Sequence, residues 1–201
     1  MRRVFLLMTF VIVFMTSLSA SEKLLNDLRA KYDNIKTFEA DIIQSAFIFA
    51  LNINTNSKGI LLIENNTFVL EFTEPMRQFL KVQKNVMMMY MENENTAFID
   101  ENFDEKFGYF NLADFLNNQN IFEFLKNENG FVIYKVQNLK EPDLKITMYL
   151  NQNDILIAKV EMEQKTGELT TIELHNQKFN QKLSKKMSEY VVPENAVIIK
   201  N

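Results

Sequence analysis

"GILLIENNTFVLEFTEPMRQFLKVQKNVMMMYMENENTAFID", residues 59–100, decides the fold. Five short apolar runs, "GILLIE", "TFVLEF", "FLKVQ", "VMMMYM" and "TAFID", are separated by "ENN", "TEP", "QKN" and "ENEN". β-Branched and aromatic side chains suit pleated, half-buried strands, whereas Asn, Pro, Glu and Lys in the separators suit tight turns. The stretch reads as an antiparallel meander. The same alternation extends to both sides. Upstream, "FEADIIQ" sets Phe38, Ala40 and Ile42 against Glu39 and Asp41, and the apolar "SAFIFAL" follows. Downstream, "FVIYKV", "LKITMYL", "ILIAKVEM" and "ELTTIEL" resume the strand pattern, and "YVVPENAVII" reads as two short extended pieces.

Two regions depart from period two. Leu24, Leu25, Leu28, Tyr32 and Ile35 recur at helical spacing, with Ser21 placed to cap the first turn. Within 111–130 two short helical patterns stand out: "NLADFL", with Leu112, Phe115 and Leu116 on one face, and "NIFEFLKN", with Ile121, Phe124 and Leu125 on one face. The expected architecture is β-rich α+β: about ten or eleven strands, an opening helix and a helical interruption in the middle.

Residues 1–20 have the form of an export signal: Arg2 and Arg3, an apolar run from Val4 to Met15, then small polar residues. The run is well short of the roughly 20 residues that cross a bilayer. Export with cleavage near residue 20 is therefore expected, leaving 21–201 as a single domain. Loss of the two arginines leaves 20 basic against 26 acidic residues, a formal charge of −6. The lysines are interspersed with acids, so no basic face for nucleic acid is expected. With no cysteine in the chain, burial and sheet pairing must hold the domain together, and an anchor on a lipidated cysteine is excluded.

Little in the sequence suits catalysis. His175 is the only histidine, and four widely spaced glycines, Gly59, Gly108, Gly130 and Gly167, form no phosphate-cradling loop. The acids Asp100, Glu101, Asp104 and Glu105 read as a solvated loop between strand and helix. No catalytic residue, metal ligand or cofactor is assigned. The chain is instead rich in apolar surface. On the strand "VMMMYM", Val86, Met88 and Tyr90 point one way and Met87, Met89 and Met91 the other. Pliable, unbranched methionines serve either as core filler or as the lining of a cavity that adapts to its ligand.

Several motifs, in order along the chain, resemble the LolA family of periplasmic lipoprotein carriers. They are Phe38, Ala40, Ile42 and Gln44 as F-x-A-x-Φ-x-Q; Gly59 and Leu61; Phe68, Leu70 and Pro75; Tyr90 in "LKVQKNVMMMYME"; and the closing "YVVPENAVII". The resemblance implies an incomplete, strongly curved antiparallel β-barrel with a helical lid over its concave face. It implies Phe68, Leu70, Leu80, Met88 and Tyr90 as the acyl-binding lining, and Leu112, Phe115, Leu116, Ile121, Phe124 and Leu125 as the lid. The implied function is a monomeric periplasmic carrier of lipoprotein acyl chains between an inner-membrane releasing transporter and an outer-membrane acceptor. A sensor or regulatory domain, or a carrier of free lipid or glycolipid, shares the same pattern. The family's lid-locking arginine, in the loop between the second and third strands, is missing from "IENNTF", leaving Arg77 as the nearest candidate.

Overall fold

The computed structural model describes residues 21–103, 115–116, 120–139 and 141–200; the segment read as an export signal lies outside them, as does Leu112. Residues 21–33 form helix α1. Ser21 is already inside this helix, and its carbonyl accepts the Tyr134 hydroxyl at 2.6 Å. Leu25, Leu28 and Tyr32 form its buried stripe, at most 6% exposed, as a helical repeat requires.

Twelve strands follow: β1 (Thr37–Ile48), β2 (Ile53–Glu64), β3 (Thr67–Glu74), β4 (Gln78–Gln83), β5 (Val86–Met91), β6 (Thr96–Asp100), β7 (Asn120–Glu128), β8 (Phe131–Asn138), β9 (Lys145–Asn151), β10 (Leu156–Glu163), β11 (Glu168–Phe179) and β12 (Val197–Lys200). They form one curved, open sheet in the order β12-β6-β5-β4-β3-β2-β1-β11-β10-β9-β8-β7. Every neighbouring pair is antiparallel except β12 on β6. The turns of the meander form where asparagine and lysine were read as separators: Asn65 and Lys84 take positive φ, 52° and 55°.

The segment "NIFEFLKN" is a correction. It is not helical but forms strand β7, paired with β8 along its length. Its apolar residues satisfy both periods, and the partner decides between them: Phe122 and Phe124 stand opposite Val136 and Tyr134 on the sheet's inner face. Ile121 and Leu125 are left exposed, at 54% and 47%. Of the six residues assigned to a lid, Phe115 and Leu116 are helical, and Ile121, Phe124 and Leu125 belong to the sheet.

Each face of the sheet has its own cover. The inner face packs Phe38, Ala40, Ile42, Leu61, Phe68, Phe72, Val82, Val132, Tyr134 and Met148 against α1. On the outer face of β2–β6, Leu62, Val69, Phe79, Tyr90 and Ala97 pack under the C-terminal segment through Leu183, Met187, Tyr190, Val192 and Ala196. Two buried carboxylates fasten that strap. Glu71, 1% exposed, accepts from Arg77 Nε, Lys185 Nζ and the Tyr190 hydroxyl. Glu39, 5% exposed, accepts from Lys178 Nζ and the Ser184 backbone N–H.

Candidate functional site: the inner face and its plug

Cross-strand register decides which side chains share the inner face, because directly opposed residues point the same way. Leu70 opposes Leu80, Leu80 opposes Met89, and Met89 opposes Phe98. Phe68 opposes Val82, which opposes Met87. Phe68, Leu70 and Leu80 are therefore together on the inner face. Met88 and Tyr90 are not. They oppose Lys81 and Phe79 on the outer face, where Tyr90 is 7% exposed beneath the C-terminal strap and donates its hydroxyl to Asn95 Oδ1. The inward methionines are Met87, Met89 and Met91, the opposite set of the same strand. A strand's two faces are related by one residue, so a single-residue error in phase exchanges them entirely.

The inner face is occupied. Leu25, Leu28 and Tyr32 of α1 fill its centre, and beside them Phe115 and Leu116 are 5% and 0% exposed. Phe115 meets Phe122 edge-on at 6.0 Å between ring centroids. Among the described residues, two side-chain hydrogen bonds hold this pair, the plug. Arg29 Nε, from the polar flank of α1, donates to the Leu116 carbonyl at 2.9 Å, and its guanidinium lies over the Phe122 ring, 5.5 Å from the centroid. Asn120 Nδ2 donates to the Phe115 carbonyl at 2.7 Å, while Asn120 Oδ1 is buried with no hydrogen-bond partner among the described residues.

Arg77 does not reach the plug. Its guanidinium pairs with Glu71 and Glu92 on the outer side. Sequence reasoning missed Arg29 and Asn120, since a charged residue on a helix flank and an asparagine before a strand carry no distinctive signal. Glu71 had one: it shares the parity of Val69 in an otherwise apolar run. Its carboxyl is held below the ordinary value; burial alone would raise it, but hydrogen bonds from Lys185, Tyr190 and Arg77 together outweigh burial. His175 lies on the exposed outer side, 3.1 Å from Glu173. Among the described residues no group of three or more His, Cys, Asp or Glu is arranged to hold a metal ion, and no helix is long and apolar enough to cross a membrane.

No protein-family model matches the chain, and no curated protein matches its sequence. Solved structures do. An uncharacterized conserved protein from Thermus thermophilus superposes with a TM-score of 0.57 at 11% identity, over 90% of this chain and 99% of that one. MucB superposes with a TM-score of 0.51 at 8% identity, over 90% of this chain and 66% of that one. A LolA superfamily protein from Nitrosomonas europaea matches at 0.43 and 11% identity, over 81% of this chain and 94% of that one. The chain shares its fold with the Thermus thermophilus protein and with MucB. At these identities the likeness is one of architecture: an open curved sheet, here with α1, Phe115 and Leu116 on its inner face.

Proposed function

We propose that the protein is a periplasmic carrier that shelters the acyl chains of lipoproteins on the inner face of its sheet and passes them on without catalysis. The observation that carries the reading is the plug. Phe115 and Leu116 bury apolar surface on the inner face, and among the described residues two side-chain hydrogen bonds tie them there. Each methylene taken out of water is worth about 0.8 kcal/mol, so a sixteen-carbon chain exposed to the periplasm costs more than about 10 kcal/mol. A carrier must recover much of that and still release its cargo. Displacement of one apolar occupant by another achieves this, because net affinity is then the difference between two similar burials. Phe68, Leu70, Leu80, Met87 and Met89 supply the lining beside the plug, and unbranched methionines adapt to chains of different length. The donor is then a transporter that extracts lipoproteins from the inner membrane, and the acceptor a receptor at the outer membrane.

Native mass spectrometry of the protein released gently from the periplasm tests this directly. Co-purifying triacylated polypeptide supports lipoprotein carriage. Bound free lipid or glycolipid reassigns the same face to lipid transport, and an empty protein that also refuses acylated peptide in vitro overturns both.

A further inference from the structure

The two ends of the sheet differ sharply in polarity. One end carries the turns at 65–66, 84–85, 129–130 and 152–154, composed of asparagine, lysine, glycine, glutamine and aspartate. At the opposite end are the β1–β2 tip and the β3–β4 and β8–β9 turns, and these hold exposed Phe49 (58%), Leu51 (64%), Ile53 (45%), Met76 (54%) and Leu139 (58%). That these share one end follows from the register: Phe47 opposes Leu169, Leu169 opposes Glu163, Glu163 opposes Lys145, and Lys145 opposes Gln137 beside Leu139. The β1–β2 hairpin extends past β3, which pairs with β2 only as far as Lys58, while on its other side β11 accompanies β1 to Ile48. Its residues 42–57 form a run of sixteen without a single charge. Phe47 and Phe49 stack edge-on at its tip, 4.6 Å between centroids.

We propose that this end docks the protein on a lipid bilayer, with the β1–β2 tip inserted among zwitterionic headgroups. A protein partner fits less well. The three exposed side chains at the tip, Phe49, Leu51 and Ile53, offer about 350 Å², less than half the ~800 Å² per partner of a stable protein interface. A bilayer sets no such threshold, and an uncharged hairpin enters the headgroup region without desolvating an ion. Charge selects the type of surface. The flanking turns 74–77, 92–95, 139–144 and 164–168 hold six acids against three bases, so a strongly anionic surface repels this end. The docking requires no particular cargo and stands whether or not the inner face carries lipoprotein.

The chain has no tryptophan, so one introduced indole reports a single site. In the processed, exported protein, Leu51→Trp is expected to shift its emission to the blue on mixing with phosphatidylethanolamine/phosphatidylcholine vesicles and to be quenched by brominated acyl chains. Gln152→Trp, at the other end, is expected to do neither. Phe49→Ser in the Leu51→Trp background should weaken vesicle binding about tenfold, with far-UV circular dichroism confirming the fold. The proposal is overturned by equal responses at the two ends, by binding that requires anionic lipid, or by a lipid-independent blue shift that tracks protein concentration, which marks self-association. Because the probe is at the tip, loss of acyl uptake on the inner face leaves this readout intact.

Discussion

At Gly59 the backbone of β3 lies against the space a side chain on β2 would fill. A Cβ built there would lie 1.9 Å from the Glu71 carbonyl oxygen and 2.8 Å from Phe72 Cα, both backbone atoms that no rotamer change can move. Gly59→Ala must therefore push β3 from β2 at the register irregularity between Lys58 and Gly59. The expected loss is about 3 kcal/mol, read as a lower urea midpoint with an unchanged slope. At the same place on β3, Glu71 poses the opposite problem: a carboxylate that is buried because three donors converge on it. Glu71→Gln keeps the shape but leaves Lys185 and Arg77 facing a neutral amide. Both of those cations are partly exposed, 40% and 47%, and water takes up part of the loss. The expected cost is about 2 kcal/mol, with proteolysis of the C-terminal strap appearing before global unfolding.

At the scale of elements, the plug sets the energy that cargo must overcome. Arg29→Ala removes the tie to the Leu116 carbonyl and the stacking over Phe122, and leaves the inner lining unchanged. If the closed arrangement loses about 1 kcal/mol, competition with cargo weakens and the apparent affinity for a fluorescent acyl probe rises about fivefold. Titration of the two proteins side by side checks this; equal affinities would mean that the plug does not compete with acyl chains. The elements also show how far the sequence reading reaches. The meander was legible because its turns carry their own chemistry, in the asparagine and lysine at 65 and 84, independent of anything distant. The opening helix was legible because Leu25, Leu28 and Tyr32 repeat at a period no strand satisfies. β7 was not, because Phe124 and its apolar neighbours fit both periods and the choice was made by β8, which is a tertiary partner rather than a local signal. The methionine strand was recognised as a strand but assigned to the wrong face. Both its faces are apolar, one covered by residues around Tyr190 more than ninety positions away, and nothing within the six residues distinguishes them.

For the whole molecule, the absence of disulfides leaves the two faces of the sheet dependent on groups that titrate, and their shifts fix a pH window. Glu39 and Glu71 are both held below the ordinary carboxylate value of 4.5, because burial, which would raise them, is outweighed by hydrogen bonds from Lys178 and Ser184, and from Lys185, Tyr190 and Arg77. The unfolded chain binds protons at these sites before the folded one does, so their contribution is complete above about 4.5 and is lost as pH falls through the lowered folded values. The tyrosines act at the other limit. Burial pushes the Tyr134 hydroxyl up to about 12, and raises Tyr32 and Tyr190 further still from the usual 10.0. A raised value in the folded state means stability that is complete below about 10 and lost as pH rises above it, since ionisation of the unfolded chain then draws the equilibrium away. Urea midpoints measured from about pH 3 to about pH 11 should therefore show a plateau with a falling limb on each side. Glu39→Gln combined with Glu71→Gln should lower the plateau and flatten the acid limb, with a smaller effect on the alkaline limb because Glu71 helps to raise Tyr190; Tyr190→Phe should flatten chiefly the alkaline limb, and part of the acid limb because it removes one donor to Glu71. An acid limb unchanged in the double variant would show that other carboxylates govern acid unfolding and that the strap is not fastened by these two.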